Sequence, residues 1–500
     1  MRSQLLATKS IAKLVDTDTD TGGQSLRRAL SAPALTLLGI GGIIGSGIFV
    51  LTGTAAADHA GPALALSFII AGIGCTFAGL CYAEFAAMIP VSGSAYSYSY
   101  ATLGEGIAWF IGWNLILEYL FAVATVSTGW TGYFLSLLDT FHIHVPAALS
   151  HAPLDEGGSA LSIVHTGAIL NVPSMAIVAA IATVCYIGIK QSSAFNTVIV
   201  AIKVAVVVMF VVIGVSYVNP ANWHPFIPPN TGVFGKYGWS GVIAGAGVIF
   251  FAYIGFDAVS TTAQEARDPP RDMPIGILAS LIICTILYIV VAIVLTGMVS
   301  YTRLSVPDPV AFATDQYPQL RWLGVPIKLG ALLGMTSVLL VMTLAQARIF
   351  LAMSRDGLLP PWFGRVHPRF RTPSTATVVT GVCAAIIGGL FPVRLLGELV
   401  SIGTLAAFVT VCIGVLVLRH TRPDLPRPFR APWPWFTCIA GSVVCLGMMA
   451  FLGPATWLRL IGWTIIGAIV YVAYGYRHSR VRDSKGGSPT GVRPAASTTD

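Results

Sequence analysis

The sequence predicts an all-α membrane protein with twelve transmembrane helices, and three observations predict this fold class. Only 10% of the 500 side chains are charged, whereas an ordinary soluble domain carries about 25%. Hydrophobic residues make up 55% of the chain, and a soluble protein this apolar would expose patches that cause aggregation. The apolar residues also fall in runs of about 20, which is the length a helix needs to cross a lipid bilayer.

Twelve such runs follow one another and are numbered here as segments 1 to 12. They cover residues 34–57, 62–89, 107–138, 172–189, 195–218, 238–263, 274–300, 325–353, 374–391, 395–418, 434–452 and 455–476. Polar tails flank them at residues 1–32 and 477–500, which leaves one membrane domain over 33–476. The stretches 1–30 and 478–500 lack apolar periodicity, so both are predicted to be disordered.

The positions of lysine and arginine predict the orientation of the chain. Most of the 29 basic residues fall in the two tails and in alternate loops if the N-terminus lies inside. Cytoplasmic loops carry such an excess of positive charge, so both termini are predicted to be cytoplasmic, in the plasma (inner) membrane. The basic residues do not cluster on one polar face, which argues against nucleic acid as a partner.

The longest outer loop, 139–171, contains four histidines, His142, His144, His151 and His165. Metal sites need matched ligand geometry, and scattered histidines are weak evidence for it. A solvated loop is therefore expected, with no metal site and no cofactor.

Segment 1 is rich in glycine, with five glycines in the eleven residues from Gly39 to Phe49. These glycines run around the helix, which favours a local interruption over a close-packed stripe of small residues. Non-helical backbone at membrane depth is tolerated only where it is buried in protein or lines a cavity. The amides freed by such a break would point at an anionic group, as at a helix N-terminus.

Segment 6 contains a second candidate break over Phe250–Ser260, with Asp257 inside it. Two interrupted segments in corresponding positions are the best pointer from sequence to the binding site of a secondary transporter. They predict a five-plus-five inverted repeat, segments 1–5 (about 34–218) against segments 6–10 (about 238–418), with discontinuous helices 1 and 6. Segments 11–12 (about 434–476) would be appended to this repeat.

Three charged residues lie deep inside segments, namely Glu118, Lys203 and Asp257. Charge near the bilayer centre is costly, so such residues are functional candidates by default. Two alternatives stay open: Lys203 could snorkel to the membrane surface, and Asp257 could cap the second half of segment 6. Glu118 is too deep to snorkel, whereas Glu84 lies near a segment end and is interpreted as structural.

Four stretches of the chain resemble bacterial members of the cationic amino acid transporter family, in the amino acid–polyamine–organocation superfamily. They are GIGGIIGSGIF at 39–49, YAEFAAMIPVSGSAYSYSYATLGE at 82–105, FFAYIGFDAVSTTAQEARDPPRDMP at 250–274 and QARIFLAMSRDGLLPPWFGRVHPRFRTP at 346–373. The resemblance implies a permease that imports amino acids by alternating access, coupled to proton symport. The order and spacing of these stretches match the family across segments 1–9, and the resemblance leaves room for a small membrane partner subunit.

The resemblance assigns roles to ten residues. The amides of Gly45, Ser46 and Gly47 would bind the substrate carboxylate, and carbonyls at Ile43, Phe251 and Ile254 would take the α-ammonium. Phe251 would also gate the ligand, Glu118 and Asp257 would line the side-chain pocket, and Met342 would set its size. Lys203 falls where sodium-driven relatives of this fold hold a cation, so its protonation would couple transport to the proton gradient.

Several alternatives remain at this point. An exchanger or uniporter would need no proton coupling. An ion channel would favour a repeated pore loop, and an enzyme would need a clustered nucleophile, base or metal set; neither pattern is evident. Two carboxylates near the pocket slightly favour a cationic substrate side chain on Coulombic grounds, although bacterial members of the family also accept small neutral amino acids.

Overall fold

The computed structural model describes residues 2–9, 30–89, 94–157, 162–188 and 193–480, and these residues are predominantly helical. Helices occupy all twelve predicted segments. The main helix of each, in order, is Ala32–Ile43, Leu64–Met88, Glu105–Thr140, Val172–Ile187, Ser193–Gly214, Gly238–Ile249, Pro269–Met298, Arg321–Arg355, Ser374–Leu390, Val393–Thr421, Pro434–Phe451 and Pro454–Val470.

Nine helical stretches in the described part of the chain are long and apolar enough to cross a membrane. Three shorter apolar helices, Ala32–Ile43, Val172–Ile187 and Ser374–Leu390, accompany them. The predicted helical membrane protein is thereby confirmed, while the number of twelve crossings stays a prediction.

Segment 1 is broken near its middle. Its first helix ends at Ile43, and Ile44 adopts an extended backbone (φ −73°, ψ 100°). Winding resumes at Gly47–Leu51 in the wider turns of a π-helix and continues through Thr52–Ala55 and Ala56–Ala60.

Segment 6 is broken at a corresponding position, because its first helix, like that of segment 1, has 12 residues. Helix Gly238–Ile249 tightens into a 3₁₀ turn at Phe250–Tyr253, and the chain then extends at Ile254 (ψ 135°). Gly255 takes a positive φ of 120°, which side-chain-bearing residues rarely adopt, and a short helix, Phe256–Ser260, follows.

The two breaks pack directly against each other. A Cβ atom added to Gly255 would lie 2.6 Å from the carbonyl oxygen of Gly42, and one added to Gly47 would lie 2.3 Å from the Cα of Ala252. The glycines are therefore required because the two backbones approach more closely than a side chain permits.

Three elements between the segments were not predicted. Helix Ser94–Thr102 lies between segments 2 and 3, and helix Pro309–Asp315 lies between segments 7 and 8. A two-stranded antiparallel hairpin, β1 (Leu154–Glu156) and β2 (Ile163–His165), lies in the 139–171 loop. Glu156 of β1 pairs with Arg394 at 2.9 Å and also with Arg459. These ion pairs fasten the hairpin to segments 10 and 12. The four histidines of the loop are exposed.

The two ends of the described chain meet on one face of the helix bundle, here called the terminal face. The buried carboxylate of Glu105 accepts hydrogen bonds from Gln4 at 3.2 Å, Tyr100 at 2.9 Å, Tyr471 at 2.7 Å and the hydroxyl of Ser479. These five residues are called the terminal clasp. Because Gln4 and Ser479 contact one carboxylate, both ends lie on the same side of the bundle.

Residues 2–9 correct the prediction of a disordered N-terminal tail. They begin with a short helix, Arg2–Leu5, and Lys9 pairs with Asp356 at 2.8 Å. The prediction was wrong here because this polar stretch finds its partners on buried carboxylates contributed by distant parts of the chain. Of the predicted C-terminal tail, residues 478–480 are described, and Ser479 is buried in the terminal clasp, so the prediction of disorder was wrong there too. Met1 and residues 10–29 and 481–500 lie outside the described residues.

Candidate functional site

A small cavity lies between the two breaks and is called the central cavity. Its volume is about 10 Å³, room for about one water molecule. Seven of the ten residues predicted to form the site line it together. They are Ile43, Gly45, Ser46, Gly47, Phe251, Ile254 and Met342, and the remaining lining residues are Gly42, Ala122, Val126 and Val338.

The wall of the central cavity has a polar and an apolar part. The polar part is the backbone of the two breaks together with the hydroxyl of Ser46, which is fully buried and has no hydrogen-bond partner among the described residues. The apolar part includes the side chains of Ala122 and Val126 from segment 3 and of Val338 and Met342 from segment 8. A buried hydroxyl without a partner costs free energy, so it is suited to binding a ligand.

Two tyrosines hold the broken backbone of segment 1. The hydroxyl of Tyr288 lies 2.9 Å from the carbonyl oxygen of Ile43 and 3.0 Å from that of Ala252, so it bridges the two breaks. Tyr133 donates to the carbonyl of Phe49 at 2.8 Å. Sequence reasoning missed both tyrosines, because a buried tyrosine in an apolar segment does not reveal which carbonyl it will reach.

Lys203 of segment 5 lies directly behind the break in segment 1. Its side chain is completely buried, and Nζ donates to the carbonyls of Gly41 and Ile44, the latter at 3.1 Å, and to the hydroxyl of Ser337 at 3.2 Å. Lys203 therefore does not snorkel to the membrane surface. It joins segments 1, 5 and 8, although it does not line the central cavity. Ser337 was not among the predicted site residues.

Glu118 and Asp257 do not line the central cavity in this conformation. Asp257 accepts hydrogen bonds from the hydroxyl of Tyr119 and, at 3.2 Å, from the amide of Gly255, which fits the capping alternative. Both carboxylate oxygens of Glu118 are buried without a hydrogen-bond partner among the described residues. The structure thus places these two carboxylates, like Lys203, outside the cavity that the other seven predicted residues line.

Two larger cavities flank the central one. A cavity of about 740 Å³ opens near the terminal face and is lined by Gly255 and Ala258 of segment 6 and Arg348 of segment 8, among others. A cavity of about 830 Å³ lies on the opposite side, beneath the β-hairpin, and is lined by Val50 and Gly129 among others. Neither shares a lining residue with the central cavity, which is therefore closed between them.

Comparison with known proteins places this architecture in a family. The family model of amino acid permeases matches residues 30–474. The methylthioribose transporter of Bacillus subtilis is 48% identical over 456 residues, 91% of this chain and 95% of that protein. The branched-chain amino acid permease BcaP of the same organism is 45% identical over 482 residues, 96% of this chain and 100% of that protein.

A mammalian relative is more distant. Cationic amino acid transporter 4 of Mus musculus is 37% identical over 409 residues, which cover 80% of this chain and 61% of that protein. These relatives are transporters and permeases, as the resemblance implied, and none is named as an enzyme. The chain therefore belongs to the amino acid permease family, within the amino acid–polyamine–organocation superfamily, and is a transporter rather than an enzyme.

Proposed function

We propose that this protein is a secondary active permease that imports amino acids across the plasma membrane by alternating access. The proposal includes twelve crossings, a five-plus-five inverted repeat and cytoplasmic termini. The observation that carries it is the central cavity, where two broken helices meet at the unpartnered hydroxyl of Ser46. Broken helices facing one another are how such transporters present backbone groups to a polar substrate.

The polar part of the cavity suits the two charged groups that all α-amino acids share. The amides of Gly45, Ser46 and Gly47 begin the second half of segment 1, where the helix dipole favours a carboxylate. The carbonyls of Ile43, Phe251 and Ile254 would accept from the α-ammonium, and the Phe251 ring would close over the bound substrate.

The two flanking cavities supply the two routes of an alternating-access cycle. The closed central cavity has to expand before it can hold an amino acid, because its volume is only about 10 Å³. Segments 1 and 6 are the elements able to move, since their breaks divide them into halves. Opening toward one flanking cavity while staying closed to the other would carry the substrate across.

Proton coupling is assigned to Lys203. The ammonium donates to two carbonyls at the segment 1 break and to Ser337, so loss of its proton would weaken the tie between segment 5 and that break. This loosening would favour the conformation open to the terminal face. Coupling by this route needs no metal and no cofactor.

A proteoliposome experiment tests both parts. Uptake of labelled L-leucine and L-alanine is measured with and without an inward proton gradient, and Lys203→Met is expected to lose the acceleration by the gradient. Lys328→Met is the matched control, because Lys328 is also buried but contacts Ser136, Thr140 and Asp315 instead of the breaks. Gradient-driven uptake by Lys203→Met at the wild-type rate would favour an exchanger or uniporter.

A second candidate substrate follows from the most similar relative named above. The methylthioribose transporter is named for a sugar that carries a methylthio group, and its identity to this chain is 48%. The apolar part of the cavity, with Met342, would accept a methylthio group, whereas a sugar offers no carboxylate to the amides of Gly45, Ser46 and Gly47. The test measures how strongly unlabelled methylthioribose and unlabelled amino acids each inhibit the uptake of labelled leucine. Amino acids are expected to inhibit it more strongly than methylthioribose.

A further inference from the structure

We propose that Ala122 and Val126 of segment 3 set the substrate specificity of the central cavity, so that it selects amino acids with short aliphatic side chains. This inference rests on the proposed function, and it concerns the side chain that the substrate carries. It replaces the slight preference for cationic substrates that the sequence predicted from Glu118 and Asp257.

Segment 3 presents one face to the cavity. Ala122 and Val126 are four residues apart on the continuous helix Glu105–Thr140, so they lie above one another on the same face, about 6 Å apart along the axis. Both are about 1% exposed. They are the only residues of segment 3 among those that line the described cavity.

The cavity wall offers no charge to a substrate side chain. The lining residues carry no charged group, and the one unpartnered polar side-chain atom, Ser46 Oγ, belongs to the segment 1 break where the carboxylate is expected. A guanidinium or ammonium placed against this aliphatic wall would meet no counter-charge among the residues that line the cavity, which is unfavourable. An aliphatic side chain gains free energy from the same burial.

Glu118 lies one helical turn beyond Ala122, outside the cavity lining. The distance along the helix axis is again about 6 Å. Ala122 lines the cavity, so a larger side chain at position 122 would project into it and shorten the substrate subsite. Position 122 thus controls how long a side chain the cavity accepts.

The test measures thermal stabilisation of purified protein by L-alanine, L-leucine and L-arginine, together with uptake of the same three amino acids. Wild type is expected to bind leucine at least about tenfold more tightly than arginine. Ala122→Leu is expected to weaken leucine binding at least about tenfold while alanine binding changes little, since one methylene in an apolar pocket changes discrimination by about 10–200-fold.

Two further variants test whether the change in selectivity is specific to the cavity. Ala180→Leu makes the same chemical change on the exposed face of segment 4 and is expected to leave the selectivity unchanged. Val126→Ala enlarges the cavity without overpacking it, and it is expected to weaken leucine binding and to admit L-phenylalanine. This second variant keeps the test decisive if Ala122→Leu does not fold.

The outcomes separate this inference from the proposed function. If no amino acid stabilises or enters wild type, the proposed function is wrong. If wild type takes arginine as well as leucine, or if both segment 3 variants keep the wild-type leucine-to-alanine ratio, the specificity role is wrong and the permease function stands.

Discussion

The partners of Lys203 are neutral: two backbone carbonyls and one hydroxyl. An ion pair that loses one charge leaves the other uncompensated, at a cost of about 3–5 kcal/mol in a buried site. When a lysine whose partners are all neutral loses its proton, no unpaired buried charge remains. This makes the residue better suited to repeated proton exchange than a buried ion pair would be.

The buried ion pair of Glu84 shows the opposite arrangement. Its carboxylate accepts two hydrogen bonds from Arg419, one of them 3.0 Å long, and another from the amide of Ala431 at 2.8 Å, as expected for a structural residue. We expect Glu84→Gln to lower the stability by about 3–5 kcal/mol, because the half-buried Arg419 and the buried Arg427, whose Nε lies 3.7 Å from the carboxylate, would both lose their counter-charge. Thermal melting in detergent measures this loss.

An exposed ion pair provides the control for that prediction. Arg422 and Asp424 lie 3.7 Å apart with both side chains largely exposed, and exposed pairs contribute about 0–1 kcal/mol. Asp424→Asn should therefore leave the melting temperature nearly unchanged. Equal effects of the two substitutions would contradict the structural role of Glu84.

The buried carboxyl group of Asp308 leads us to expect that the stability of the protein depends on pH. It lies between segments 7 and 8, and its carboxyl has a pKa above the ordinary value of an aspartate because the group is buried. A hydrogen bond from Ser136 and the charge of Lys328 lower the pKa in part, and the nearby Asp315 raises it. A raised pKa in the folded state means that this group stabilises the fold at acid pH and that the contribution is lost as the pH rises through the folded-state pKa.

Asp308→Asn removes this titration. Compared with wild type, the variant should therefore gain melting temperature as the pH is raised from about 4, near the unfolded-state pKa of an aspartate, to neutral pH. The measurement is a thermal melt of both proteins across that range. A relative gain that appears only on the acid side would contradict the assigned direction.

At the scale of elements, the two breaks depend on backbone contact. Gly47→Ala would place a Cβ 2.3 Å from the Cα of Ala252, so segments 1 and 6 would have to separate. Overpacking of this kind typically costs about 1–3 kcal/mol. We expect lower thermal stability and a large loss of amino acid uptake.

A glycine in open surroundings gives the matched control. Nothing lies within 4 Å of a Cβ added to Gly462, which sits inside helix Pro454–Val470. Gly462→Ala should stabilise the protein by up to about 1 kcal/mol, because alanine has the higher helix propensity, with uptake retained. If Gly47→Ala also kept full uptake, close contact between the breaks would not be required for transport.

The breaks in segments 1 and 6 could be predicted from sequence, whereas the apolar part of the wall of the central cavity could not. Glycines distributed around a helix signal an interruption, because an uninterrupted helix gains nothing from them. Ala122 and Val126 carry no such signal, since dozens of similar residues fill the segments and only the packing decides which of them face a cavity. Ser337 and Tyr288 were missed for the same reason.

At the scale of the whole molecule, the terminal clasp holds the two ends of the chain together. Truncation after Val470 would remove Tyr471 and Ser479 and leave the buried carboxylate of Glu105 with fewer donors. Because an unsatisfied buried charge costs more than a neutral polar group, this truncation should lower the melting temperature by several degrees.

Truncation after Arg480 is the corresponding control. It keeps all five residues of the terminal clasp and should melt close to the full-length protein. A second check is Glu105→Gln, which weakens the hydrogen bonds without shortening the chain. Equal melting of both truncated proteins would show that the terminal clasp does not stabilise the fold.

The sequence predicted the helical membrane fold because apolar run length is a local property, readable within 20 residues. The terminal clasp could not be predicted, since its members come from both ends of the chain and from the start of segment 3. The same holds for the ion pairs of Glu156 with Arg394 and Arg459, which attach a hairpin of the largely exposed 139–171 loop to segments 10 and 12.

The terminal clasp also has a consequence for biosynthesis. A ribosome makes Gln4 first among its members and Ser479 last, so Glu105 is synthesised long before its full set of hydrogen-bond donors exists. Only a chain translated through Ser479 can complete this face. Incomplete chains would therefore present an unsatisfied carboxylate, a difference by which quality-control proteases could distinguish nascent fragments from finished protein.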